Sequence, residues 1–279
     1  MVAFKNNLKT AMLLGALFGL LVWVGSYWGT QGIIAAGTFA LIMNFVAWFF
    51  SDRIAVAAMG GVEVGPDSAP ELYELVARLA QRAGLPMPRV YVCPQAAPNA
   101  FATGRNPSHA AVAVTQGALR LLDRQELEGV LGHELAHVRN RDTLTSAVAA
   151  TVAGIFSMLA YWGFYFGGGG NRREGNALSL LAVVLLGSIG AALIKAAISR
   201  SREYVADAEG ARIAGSPHGL VSALQKLEAA SRRVPMSNPN PAMNNMFIVE
   251  PLTGGAAIVN LFASHPPVEK RIAALLRGT

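Results

Sequence analysis

His133-Glu134-Leu135-Ala136-His137 reads H-E-x-x-H, a spacing that on a helix makes half of a zinc site with a base beside it. At about 100° per residue, the two histidines project about 40° apart and one turn above each other, with Glu134 about 60° from His137. Two imidazoles can therefore share one Zn²⁺, while Glu134, on the flank, reaches a water at the metal without being a ligand. Five His and twelve Glu in 279 residues would produce this pattern by chance about 0.004 times. A solvated, charged helix face is the bland alternative.

Zinc in a hydrolytic site takes three protein ligands and keeps a position for water. The third must come from the acidic residues or from His109, His218 or His265. In Ser199-Arg200-Ser201-Arg202-Glu203-Tyr204-Val205-Ala206-Asp207, Glu203 and Asp207 stand at i and i+4 on one helix face. Glu203 can ligate while Asp207 orients a histidine from behind. Spacing alone equally allows a helix surface laced with i,i+4 ion pairs.

The helix that carries the motif opens with Asp123 and Glu126, a capping-box pair, and bears Arg124, Glu126, Glu128, Arg139, Arg141 and Asp142. Those charges place it in a water-exposed domain. An intramembrane protease would bury them in lipid at high cost. Upstream, Ser68-Ala69-Pro70-Glu71 reads as another capping-box start, and Leu72, Leu75, Val76 and Leu79 at helical spacing predict a helix over 70–83 that stops at Gly84. The β-rich runs 89–93 and 109–114 predict strands. Residues 99–104 predict a further extended segment, in which Asn99, Ala100 and Phe101 can offer an edge to an extended substrate or form an ordinary core strand. His109, at a strand start, and His218, at a helix start, receive no role.

The chain is 53% hydrophobic and 14% charged, with a mean hydropathy of +0.38. Soluble domains carry nearly twice that share of charge, so membrane segments are expected. No charged residue lies between Lys9 and Asp52, and the Gly-rich turn 25–32 divides this stretch into spans of about 10–27 and 31–50, each long enough for a bilayer core. A cleaved signal peptide fits poorly, because the run is long and a second span follows at once. A second apolar hairpin is expected within 143–194, at about 145–166 and 176–194, around a Gly-rich loop. The organisation expected is thus a transmembrane hairpin (1–50), a first protease part (51–142), the second apolar hairpin (143–194) and a second protease part (195–279), mostly helical with an irregular stretch at 234–255.

Lys5 and Lys9 ahead of the first span put the N-terminus and residues after Asp52 in the cytoplasm; Arg172 and Arg173 are a mild violation. The net charge of +6 is dispersed and has no stacking motif beside it, so nucleic acid is not an expected partner; a lipid bilayer is. A lone Cys93 excludes an internal disulfide.

The succession H-E-L-A-H-V-R-N-R-D, an apolar pair of segments, S-R-S-R-E-Y-V-A-D-A-E-G, then S-H-P-P-V-E-K-R-I-A-A-L resembles the HtpX-type membrane zinc metalloproteases, relatives of the CaaX prenyl proteases. The likeness spans nearly the whole chain, and the 167–170 glycine run is its least typical part. It implies a mostly helical α+β, gluzincin-like protease domain with a small β-sheet, interrupted and anchored by transmembrane helices. It also implies one Zn²⁺ per chain on His133, His137 and Glu203, with Glu134 as catalytic base. By the same resemblance, His265, or Arg271 a turn beyond the prolines, is the candidate donor to the transition state. Implied too are a bacterial inner-membrane location, a cytoplasmic active site, a quality-control role on unfolded or damaged membrane proteins, and possible company with other membrane quality-control proteases. A membrane scaffold with a structural, non-catalytic zinc is the competing function. If His133 and Glu203 share one ion, the chain between them crosses the membrane an even number of times.

Overall fold

The computed structural model describes residues 2–146, 148, 200–231 and 266–277. The expected spans at 145–166 and 176–194, the stretch 234–255 and His265 lie wholly or almost wholly outside the described residues.

The architecture is α+β and mostly helical. Two apolar helices, α1 (Val2–Gly25) and α2 (Gly29–Phe49), flank a short 3₁₀ turn at Ser26–Trp28. Gly29 makes the reversal at φ 68°, a region open to glycine. Asn44 Nδ2 donates to the Leu14 carbonyl at 3.0 Å, so the two helices run back along each other. Asn6–Phe49 is, among the described residues, the stretch long and apolar enough to cross a membrane. Its large side chains, among them Met12, Trp23, Ile34, Phe39, Leu41 and Phe45, face outward, as lipid-facing residues do.

Next come α3 (Ser51–Ala58), β1 (Val62–Val64), α4 (Pro70–Ala83), β2 (Arg89–Cys93), β3 (Ala100–Gly104), β4 (Ala110–Thr115), α5 (Gln116–Leu121) and α6 (Arg124–Asn140). After the undescribed stretch follow α7 (Arg200–Ala214), α8 (His218–Ser231) and α9 (Val268–Arg277). The sheet order is β1-β2-β4-β3, with β2 and β4 parallel and both edge strands antiparallel to their neighbours. Alternation along the strands divides two cores. Val90, Val112 and Val114 join Leu72, Leu75, Val76 and Leu79 of α4, Val130, Leu131 and Leu135 of α6 and Leu220 and Leu224 of α8. On the opposite face Tyr91, Cys93, Phe101, Ala111 and Ala113 meet Ala55, Val56 and Met59 of α3.

Helix α4 occupies the predicted residues and ends on left-handed Gly84, but its start differs from expectation. The N-cap is Ala69 without a side-chain bond, Pro70 takes the first turn, and the Ser68 hydroxyl instead accepts from the Gly65 amide at 2.9 Å. Proline needs no amide partner there, which explains how the helix starts without the box. At α6 the box forms in full: Asp123 accepts from the Glu126 amide and Glu126 from the Asp123 amide, both at 2.9 Å. The strand expected from His109 begins one residue later, because Asn106 caps a 3₁₀ turn that His109 closes.

The charges of α6 divide in a way the sequence did not show. Arg124, Arg139 and Arg141 are exposed, whereas Glu126, Glu134 and Asp142 are buried. Glu126 receives Ser222 Oγ at 2.6 Å and Lys226 Nζ at 2.7 Å from α8. The helix is the centre of the protein rather than its surface, and its acidic groups are held in polar contacts.

Candidate metal centre

Helices α6 and α7 cross at Gly132 and Gly210. A Cβ on Gly210 would stand 2.6 Å from both Cα and N of His133, and one on Gly132 would stand 2.7 Å from the Gly210 carbonyl oxygen. Only bare backbone on both helices lets them approach so closely. That approach brings Glu203, two turns from Gly210, to the histidine pair.

The two Nε2 atoms of His133 and His137 are 3.1 Å apart, and the Glu203 oxygens lie 3.7 Å from the first and 3.6 Å from the second. Four ligands about 2.1 Å from a tetrahedral ion are separated by roughly 3.4 Å along each edge, so this triangle has the dimensions of three corners around Zn²⁺. Tautomers support the same reading. His137 Nδ1 hydrogen-bonds Asp142 Oδ2 at 3.1 Å, which puts a ring proton on Nδ1, and His133 Nδ1 lies 2.9 Å from Asp207 Oδ1 as an ion-pair contact outside hydrogen-bond alignment. The two Nε2 atoms converge on one point beside a carboxylate, an arrangement suited to a metal cation once His137 gives up its second proton. The donor set therefore fits zinc and leaves the fourth position for water.

Buried charge surrounds the triangle. Arg271 of α9, fully buried, donates to Asp207 through Nε at 2.9 Å and Nη2 at 2.6 Å, and its Nη2 is 3.5 Å from His133 Nε2. Burial opposes the charge on Asp207, but the Arg271 guanidinium and the His133 contact outweigh it and hold the carboxyl at about 2. For His137 burial again opposes charge, and the carboxylates of Glu203, Asp142 and Glu134 overcome it, raising the imidazolium of the metal-free protein to about 9. Burial pushes the Glu134 carboxyl above its ordinary value against the pull of both imidazoles and the Ala102 amide.

That amide comes from the edge strand. The Ala102 N–H donates to Glu134 Oε2 at 2.8 Å. Thr115 N donates to the Asn99 carbonyl at 2.9 Å, so in the antiparallel register residues 99, 101 and 103 turn their backbone groups toward β4. Ala100, Ala102 and Gly104 turn theirs toward the outer edge, which pairs with no strand among the described residues and where Gly104 O accepts from Thr143 Oγ1 at 3.1 Å. Of the three residues expected to meet substrate, Ala100 faces that edge; Asn99 and Phe101 are paired into the sheet, and the Phe101 side chain is buried in the α3 core.

His133, His137 and Glu203 thus form the one cluster of metal-ligating type found among the described residues. Residues 66–278 match Peptidase family M48. The chain belongs to that family. It is 48% identical over 281 residues to "Protease HtpX homolog" of Desulforapulum autotrophicum, covering 98% of this chain and 90% of the relative. It is 50% identical over 269 residues to the protein of the same name from Pyrococcus furiosus, covering 95% of this chain and 93% of the relative. Among solved structures the fold is similar to the crystal structure of S. mikatae Ste24p, with a TM-score of 0.54 at 17% identity over 98% of this chain and 66% of that one. The protein is accordingly an M48 zinc metallopeptidase of the HtpX type with a membrane helix.

Asp142 and Arg202, whose Nη1 is 3.5 Å from Asp142 Oδ1, had no role in the sequence reading, and Ala102 was read within the extended segment but not as the amide that holds Glu134. Asp142 lies five residues past His137, out of step with the helix. It reaches back because Arg141 adopts a left-handed φ of 57° and ends α6 there. Arg-Asn-Arg-Asp carries no glycine to announce this. His109, bonded to Asn106, and His218, exposed at the start of α8, take no part in the cluster.

Proposed function

We propose that this M48 peptidase is a membrane-bound endopeptidase that cleaves misfolded or damaged membrane proteins and their cytoplasmic segments. What supports an endopeptidase mechanism is the Glu134 carboxyl: buried beside the two imidazoles, raised above its ordinary value, and tied by one oxygen to the edge strand. Bound zinc supplies a Lewis acid that polarises a peptide carbonyl and acidifies water at its open position. Glu134 Oε1 takes the proton from the attacking water and returns it to the leaving amine, a task served by a carboxyl whose affinity for protons burial has raised. Glu134 Oε2 stays anchored on Ala102 N–H meanwhile. Asp142 holds the His137 imidazole in the tautomer that leaves Nε2 for the metal, and Asp207 faces Nδ1 of His133. An extended substrate pairs with the outward edge of β3 through the Ala100 backbone groups and the Ala102 carbonyl, the Ala102 amide being held by Glu134, and such backbone pairing gives loose sequence preference.

The chain is read as multi-pass in the inner membrane with its active site facing the cytoplasm. Lys5 and Lys9 before the first span support the orientation. Since ligands on α6 and α7 share one site, any crossings between them are even in number. Unfolded or damaged membrane proteins are the substrates in this reading, and other membrane quality-control proteases its natural company. His265, outside the described residues, keeps its assignment as transition-state donor within the proposal, whereas Arg271, spent on Asp207, acts as support.

The test is Glu134→Gln in the full chain purified in detergent and offered an unfolded reporter protein. Zinc content should stay at one per chain while chelator-sensitive cleavage disappears. Cleavage at the original rate by zinc-loaded Glu134→Gln would sink the mechanism, and zinc that only raises thermal stability in the unsubstituted chain would favour the scaffold reading.

A further inference from the structure

The first apolar helix reaches the surroundings of the metal centre through Asn6. Asn6, 2% exposed, donates from Nδ2 to the Asn140 carbonyl at 3.0 Å and to Asp142 Oδ1 in a short contact. Its two amide protons are thereby spent on the C-terminal end of α6 and on the carboxylate behind His137. Asp142 Oδ1 is bracketed by this amide and by the Arg202 guanidinium, which leaves Oδ2 for the His137 ring proton. The carboxylate follows a left-handed break in the chain and opens the helical stretch 142–146, which holds its backbone. Two lateral contacts, one from α1 and one from α7, set the direction of its side chain.

One turn along α1, Thr10 meets Thr145 by its hydroxyl at 2.9 Å, and Leu13 and Leu17 pack on Leu144 and Val148. These contacts dock the same helix on the chain after α6 without touching Asp142. A buried amide at the end of an apolar helix is costly unless both partners are present, so Asn6 is an expensive choice for docking alone.

We propose that Asn6 is a positioning residue of the metal centre: by fixing Asp142 it sets the orientation of His137, and it makes the affinity for zinc depend on the seating of the membrane helix against α6. The inference rests on the His133, His137 and Glu203 site but not on any substrate assignment. Removing a group that meets a ligating imidazole directly weakens metal binding by about 10–100-fold; Asn6, one contact farther out, should act at the lower end of that range.

The experiment measures zinc affinity in the detergent-solubilised full chain by competition with a zinc indicator, and the visible absorption of the Co²⁺-substituted protein as a reporter of ligand geometry. The unsubstituted chain is measured first; should it bind no zinc that His133→Ala and Glu203→Ala remove, the metal site itself fails, which is a different result. Asn6→Ala should weaken zinc at least about 10-fold and alter the Co²⁺ bands. In an Asp142→Ala background it should add nothing, because the path runs through that carboxylate. Leu17→Ala, which loosens the docking on Leu144 and Val148 outside the Asn6 hydrogen-bond network, should leave zinc affinity within about 2-fold and lower only thermal stability. Where Asn6→Ala does not accumulate, Asn6→Ser, too short to reach Asp142, takes its place with the same expectation. Zinc affinity and Co²⁺ bands like those of the unsubstituted chain in the Asn6 variant would overturn the proposal. So would an equal loss in Leu17→Ala, or full additivity with Asp142→Ala.

Discussion

Gly210→Ala tests whether the metal centre depends on the closeness of two helices. The added Cβ would stand 2.6 Å from both Cα and N of His133, backbone atoms that cannot swing away as a side-chain tip would. Ordinary contact begins at 3.4 Å, so α6 and α7 must part locally by about 0.8 Å, a strain that costs about 1–3 kcal/mol in a packed interior. Alanine returns about 1 kcal/mol through its higher helix propensity, leaving a net loss of up to about 2 kcal/mol. Zinc is the more sensitive readout. Metal–ligand distances tolerate only about 0.2 Å, and the separation carries Glu203 off the histidine pair by several times that. Zinc affinity should therefore fall by more than about 10-fold, a larger effect than loss of an outer contact at the weak end of its range. Competition with a zinc indicator and thermal unfolding in detergent measure the two effects, with Gly19→Ala, where a Cβ meets nothing within 4 Å, as control. Zinc affinity and stability equal to the control would refute the argument that the crossing sets the site.

Two other perturbations separate charge effects from catalysis. Arg271→Leu leaves the Asp207 carboxylate buried without its bidentate partner, a loss of about 3–5 kcal/mol for a broken buried pair; Arg271→Lys should recover only part of it, since a lysine cannot make the fork. Unfolding curves decide this, and a variant with unchanged stability and zinc content but lower kcat would show Arg271 to be a transition-state donor instead. For pH, the raised His137 value of about 9 in the metal-free protein means that this imidazole is protonated at pH 7 and must be deprotonated to ligate. Zinc binding should then release about one proton from it, and apparent affinity should fall about 10-fold per pH unit below 9. Calorimetry at pH 7 in two buffers of different ionisation enthalpy counts the proton; a count of zero would contradict the assigned environment.

What the sequence revealed was whatever its local spacing encodes. The motif histidines stand one turn apart on any helix, Glu203 and Asp207 share a face at i and i+4, and β2 and α4 follow from alternation and from a 3.6-residue period. Proline at the start of α4 was misread as part of a capping box, since Ser68 and Glu71 have the right spacing but Pro70 makes the box unnecessary. The strand β1 was missed because three residues, Val62–Val64, give too few periods to detect. Charge on α6 was read as placing it in a domain outside the lipid, but composition does not show which carboxylates face water and which, like Glu126, receive Lys226 and Ser222.

The unread residues share a cause. Asp142, Ala102 and Asn6 act through chain direction rather than residue type: a left-handed turn at Arg141, the outward side of an edge strand, and an amide 136 residues away in sequence from the carboxylate it holds. Each becomes visible only when elements from different parts of the chain are set together. The glycines belong to the same class. Gly132 interrupts an otherwise good helix sequence beside the first ligand, and on propensity alone it reads as a weakness of about 1 kcal/mol. Opposite Gly210 it reads as the condition for Glu203 to arrive. The two half-sites, visible separately as spacings on two helices, become one metal centre because neither helix carries a side chain at the point where they cross.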